Sequence, residues 1–205
     1  MRFDRVLSAV AALVLLAIPL ARAQDGHRLV QTWVNPAYEG HRLHKIIVAG
    51  IAGLTEERKR FEDQFLTLLR GRKIDGITSH SIVPHLDQVE DREALIRALN
   101  EKGIEAAITV RLVRLDGQTE AEWAEAWGRQ PGSGIRIRDL VEKTLPEPEK
   151  KAKHYGVEVA LWEADGWTMV WAARSDAYKR KELKDAAAPF VQRTMIALLD
   201  QGLLP

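Results

Sequence analysis

Glu62, Asp63, His80 and His85 are scattered side chains of the types that hydrolases use. A positioned carboxylate and an imidazole that titrates near neutral pH are the usual parts of general acid–base chemistry. Their settings argue against it. Glu62 and Asp63 share an amphipathic segment with Lys59 and Arg70, and such a charge set reads as a solvated helix face. His80 and His85, with Asp87 nearby, are the best local metal set. Residues five apart on a strand point to opposite faces, Pro84 interrupts the run, and no third ligand follows at zinc-like spacing. His41 and His44 share that weakness. Gly50 and Gly53 stand where a phosphate loop would, yet the lysine and hydroxyl of that motif are absent and Glu56 and Glu57 would repel an anion. Gly132-Ser133-Gly134 lacks the spacing of a nucleophile elbow. The cysteine count is zero, which removes thiol chemistry, disulfides and cysteine-bound metals. No catalytic residue, cofactor or metal is expected.

The tryptophans offer binding chemistry instead. Asp165-Gly166 separates two strand-like runs and signals a two-residue hairpin turn. That register sets Trp162 opposite Met169 and Ala160 opposite Trp171. Trp162, Trp167, Met169 and Trp171 then share one face, and Val157, Val159, Leu161, Val170 and Ala172 the other. The tryptophan face must be covered or serve recognition, because large apolar patches are rarely left bare. Core packing against the lead-in or the long loop is the favoured reading. Trp171 is expected to be buried and Trp167, beside the turn, more exposed. Trp167, with Trp123 or Trp127 from the loop, is the candidate partner-binding set.

These residues need elements to hold them. His44 to Arg114 reads as strand, helix, strand, helix, strand: Lys45 to Gly50, Thr55 to Arg70 closed by Gly71, Gly76 to Val83, Asp91 to Lys102 closed by Gly103, then Ala106 to Leu115. Phe61, Phe65, Leu68 and Leu69 form the buried stripe of the first helix. The polar-mixed Gly76 to Val83 run suits a sheet edge. The hairpin spans Tyr155 to Tyr178, and a last helix runs from Lys184 to Gly202 with Pro189 near its first turn. The expected fold is a single α/β domain: a mixed sheet with a parallel β-α-β-α-β start, an antiparallel hairpin, a C-terminal helix, and helices mainly on one face.

Residues 1–23 read as a signal peptide. Arg2 and Arg5 precede an apolar run from Val6 to Leu20, and Ala21-Arg22-Ala23 supplies the cleavage site. The run is shorter than the ~20 residues of a membrane span. Cleavage after Ala23 leaves 27 basic against 28 acidic side chains. That balance gives no basic footprint for nucleic acid. Residues 24–43 form an extended lead-in in which Leu29 to Trp33 can make a short edge strand. Residues 44–205 form the domain, with a long insertion at about 116–153. At 46% hydrophobic and 29% charged residues, the composition is globular.

Several segments together resemble a known group. They are Trp33 with Pro36 and Tyr38, the Lys45-Ile46-Ile47-Val48 strand, Arg58-x-x-Phe61-Glu62-Asp63, Ser79 to Pro84, the strand after Gly103, and Val170-Trp171-Ala172-Ala173. In these the chain resembles a family of small proteobacterial envelope proteins, often lipoproteins, whose domain has no assigned function. The layout is also similar to lipoproteins that activate penicillin-binding proteins and to the N-terminal domain of TolB. The resemblance implies a periplasmic binding or scaffolding module whose partner is an envelope protein or is associated with peptidoglycan. It supplies no catalytic residues. With no lipobox cysteine, the chain is expected to be exported without a lipid. A hydrolase using Glu62, Asp63, His80 and His85, and a carrier of a small apolar ligand on the tryptophan face, are the alternatives.

Overall fold

The computed structural model describes residues 29–50, 55–82, 92–114 and 154–205. The signal peptide, Gly53, His85, Asp87, Trp123, Trp127, Gly132 to Gly134 and the insertion lie outside them.

Among the described residues, six strands form one mixed sheet. They are β1 (Leu29–Val34), β2 (Lys45–Gly50), β3 (Asp75–Thr78), β4 (Ala106–Arg114), β5 (Tyr155–Glu163) and β6 (Thr168–Ser175). Their order is β1-β6-β5-β4-β2-β3. β2 is parallel to both β3 and β4, and β5, β6 and β1 add on antiparallel. The fold class is therefore the expected mixed α/β. The edge strand foreseen in the lead-in is β1.

Strand alternation sorts the core into two layers. Ile46 and Val48 face one side with Ile108, Val110, Val157, Val159 and Leu161; Ile47 and Ala107 face the other. The first side is covered by the two long helices, α1 (Thr55–Gly71) and α4 (Leu183–Asp200). Phe61 and Phe190 meet edge to face between them, with ring centroids 6.0 Å apart. The second side is a smaller cluster in which Leu99 of α3 (Arg92–Glu101) joins Ile104, Trp162 and Trp167.

Four local expectations are corrected. The Gly76 to Val83 strand stops at Thr78, and Ser79–Ile82 makes a helical turn, α2. The chain turns there because the Ser79 hydroxyl and the His80 amide both bond to Glu62 on α1. α1 is not closed by Gly71, its last residue. Lys73 adopts the left-handed conformation, φ 61°, while the amide of Ile74 bonds to the Leu69 carbonyl. Pro189 lies in the second turn of α4, where its ring removes the amide that would reach the Asp185 carbonyl. Buried Ala186, Ala187, Phe190 and Val191 hold that stretch on the core regardless.

The hairpin correction has the widest effect. Next to the turn the register is as expected, with Trp162 opposite Met169. A bulge then intervenes, so that Leu161, not Ala160, stands opposite Trp171. One extra residue in β6 reverses its facing from there on. Trp171 joins the aliphatic core with Val159 and Leu161, while Trp162 and Trp167 stay on the other face with Met169 and Ala160 packed beside them.

Candidate functional site

Among the described residues, the hairpin tryptophans do not form an open surface. Trp167 is 6% exposed, against the expectation that it would face solvent. The turn is Ala164 to Trp167, with both Gly166 and Trp167 at positive φ (70° and 51°), and this conformation places the indole in the second cluster. The apolar face proposed for a small ligand is packed: Trp162 is fully buried and its indole N–H bonds to Thr109 Oγ1 at 2.9 Å.

The residues that do converge surround Glu62. On α1, Arg58, Phe61, Glu62, Phe65 and Leu69 all lie in the buried stripe, and Glu62 is 0% exposed. It sits beside the carboxyl ends of the parallel strands β2 and β3, the end at which open α/β sheets bind ligands. Oε1 accepts from the Gly50 amide at 2.8 Å, from Arg58 Nε at 2.9 Å and from Ser79 Oγ at 2.7 Å. Oε2 accepts from the His80 amide at 3.0 Å and lies 2.7 Å from His80 Nδ1. Gly50 is required by close approach, since a Cβ there would lie 2.6 Å from Arg58 Cγ. Burial pushes the Glu62 carboxyl pKa up, but the bonds from Ser79, His80, Gly50 and Arg58 outweigh it and hold the group below its ordinary value. Glu62 is thus an anion at neutral pH, and His80 Nδ1 carries the proton between them.

His80 Nε2 lies on the ring edge away from Glu62, and the side chain is 23% exposed. Nε2 lies 3.4 Å from Thr78 Oγ1 and 3.6 Å from Asp63 Oδ1. The structure therefore brings together three of the four residues named for a hydrolase, Glu62, Asp63 and His80. Ser79 is not activated by this histidine. Its hydroxyl proton goes to Glu62, and its oxygen accepts from Arg58 Nη2 at 2.8 Å. No group of three or more metal-ligating side chains occurs among the described residues.

A second charged set crosses the opposite face of the sheet. Arg111 on β4 pairs through Nε and Nη2 with Glu158 Oε2 on β5, and Glu158 stands opposite Arg174 on β6. Glu158 and Arg174 are buried. Among the described residues, Glu158 Oε1 has no hydrogen-bond partner.

The sequence named Glu62, Asp63 and His80 but not Arg58, Ser79 and Gly50 as the residues that hold Glu62, and it did not single out the second set. One signal was available for the first: Glu62 follows Phe61 and lies three before Phe65, inside the apolar arc, with Arg58 one turn back. Its other partners come from β2 and from the β3–α2 junction, which no local pattern reveals.

No known protein family matches the sequence, and no curated protein is detectably similar to it. Among solved structures, a PelC dodecamer from Paraburkholderia phytofirmans is similar at 12% identity. It covers 85% of this chain and 96% of that one, with a TM-score of 0.44. Lipoprotein GNA1162 from Neisseria meningitidis is similar at 7% identity over 77% of this chain and 96% of that one, with a TM-score of 0.35. At these low scores the likeness carries no functional weight. No helix among the described residues is long and apolar enough to cross a membrane.

Proposed function

We propose that this chain is an exported, non-enzymatic binding or scaffolding module of the cell envelope. The observation that carries the reading is the occupied state of Glu62. At the strand ends where such a sheet would hold a substrate, both carboxylate oxygens already accept from the protein's own donors. Those donors come from α1, β2 and the start of α2. The carboxylate joins three segments and has no proton to give. The N-terminal Arg2, Arg5 and Ala21-Arg22-Ala23 pattern supports export, with the mature chain starting at Gln24.

In-cell crosslinking of the periplasm tests this. An envelope protein or peptidoglycan-associated partner should be captured, and should recapture this chain in the reverse experiment. Mass spectrometry of the exported protein should begin at Gln24; an intact Met1 contradicts export.

One observation favours a second reading. A buried carboxylate holding a histidine by Nδ1, with Nε2 on the ring edge away from it, is also how a base is oriented in hydrolases. Turnover on a panel of esters, amides and glycosides, lost in His80→Asn while the fold persists, would establish that reading and displace the first.

A further inference from the structure

His80 stands with a carboxylate near each of its ring nitrogens. Nδ1 lies 2.7 Å from Glu62 Oε2, and Nε2 lies 3.6 Å from Asp63 Oδ1. Both acids belong to α1, whereas His80 is the second residue of α2. A neutral imidazole has one N–H, and Glu62 holds it at Nδ1. Nε2 then turns a lone pair toward the Asp63 oxygen, and the Thr78 hydroxyl, 3.4 Å away, can donate to it. A second proton changes the pattern. Both nitrogens then donate, so the ring reaches both carboxylates and the Thr78 oxygen becomes an acceptor.

The charges around the ring favour that second state. Among the described residues, the charged groups that face it are Glu62 and Asp63 on α1 and, through Glu62 and Ser79, Arg58 one turn back. β3 contributes the Thr78 hydroxyl, and β2 only the Gly50 amide on Glu62, both uncharged. With a neutral ring, two carboxylates face one guanidinium. With an imidazolium the set is balanced. The ring also has a mechanical place. α2 is a single turn after β3, and Ile82 at its end packs on the second apolar cluster. The turn lies at the strand ends where open α/β sheets hold ligands.

We propose that His80 is a pH-sensitive clamp on the β3–α2 corner. Proton uptake at Nε2 closes a second ion pair, to Asp63, and fixes the corner more firmly to α1. Proton loss leaves the ring held to α1 through Nδ1 alone. Glu62 stays ionised in both states, since its donors hold its carboxyl below the ordinary range. The proposal goes beyond the envelope reading and does not depend on it, because it concerns the stiffness of the corner and not what docks there. Asp63 is largely exposed, so the second pair is a modest one that grades the corner without unfolding it.

Hydrogen exchange of the amides from Ser79 to Ile82, read against those of α4, tests the clamp at about pH 5 and about pH 8, the range across which an imidazole changes charge. After correction for the intrinsic pH dependence of exchange, protection of the corner should be higher at the acid end by up to about fivefold, the size of an exposed ion pair. Asp63→Asn removes the second carboxylate from the exposed face of α1. It should keep the fold and shrink that difference. His80→Gln keeps an N–H for Glu62 but takes up no proton, and should abolish it. Equal protection at both ends of the range overturns the proposal. So does a difference that persists in full in Asp63→Asn or in His80→Gln. If His80→Gln does not fold, Asp63→Asn decides alone.

Discussion

Glu62 and Glu158 are both buried carboxylates bound to an arginine, and they belong to opposite faces of the same sheet. They differ in how fully they are used. Glu62 gathers donors from three segments and leaves neither oxygen idle. Glu158 engages Arg111 through one oxygen, and its other oxygen has no partner among the described residues. A buried charge is tolerated when hydrogen bonds replace its hydration, and each missing bond reduces what the group returns. Glu62 is therefore a joint of the fold. Glu158 mainly neutralises cationic side chains on neighbouring strands.

The sharpest way to break this comparison is to remove each carboxylate. Glu62→Ala should cost roughly 3–5 kcal/mol, because Arg58 loses its anion and the Ser79 and Gly50 donors lose their acceptor. Glu158→Ala should cost less, about 1–3 kcal/mol. Urea denaturation of both variants checks the order, and equal or inverted losses would refute it.

The next effect sharpens the account of the joint. Gly50→Ala leaves the carboxylate intact but pushes a methyl against the Arg58 stem, 2.6 Å from Cγ. A loss of about 1–3 kcal/mol is expected. A neutral outcome would mean that Arg58 moves aside freely and does not need its place beside Glu62.

pH gives a third test. The folded pKa of Glu62 lies below its ordinary value. Its contribution is therefore fully present above the unfolded glutamate pKa and is lost as pH falls through the folded pKa. Between those two values the wild type should lose stability with falling pH more steeply than Glu62→Gln. Parallel pH profiles would show that the carboxylate gains nothing from its donors.

The smallest effect lies away from both sites. Lys73 is held at positive φ after α1, so Lys73→Gly should raise stability by up to about 1 kcal/mol, read as a higher melting temperature.

How much of this was legible in the sequence follows from what sets each feature. The strand and helix order was readable because Lys45 to Gly50 and Phe61 to Leu69 carry their periods locally. The facing of Trp171 was not. Met169, Val170 and Trp171 are all large and apolar, so either phase of β6 buries hydrophobic groups and the bulge leaves no trace in the pattern. Trp167 was misread because its burial depends on a left-handed backbone at a tryptophan, which residue preference disfavours. Glu62 was read as solvated because its Gly50, Ser79 and His80 partners are 12 to 18 residues away. Trp123 and Trp127 lie outside the described residues.

The measurement that bears most directly on the central claim is a titration of the Glu62 side-chain carboxyl, followed by carbon-13 NMR with Glu62→Gln to assign the signal. A carboxylate that remains ionised to below the ordinary glutamate range, and loses its proton-free state only as the fold opens, is the predicted result. Titration above that range would give Glu62 a proton to donate, and would contradict its role as a closed structural joint.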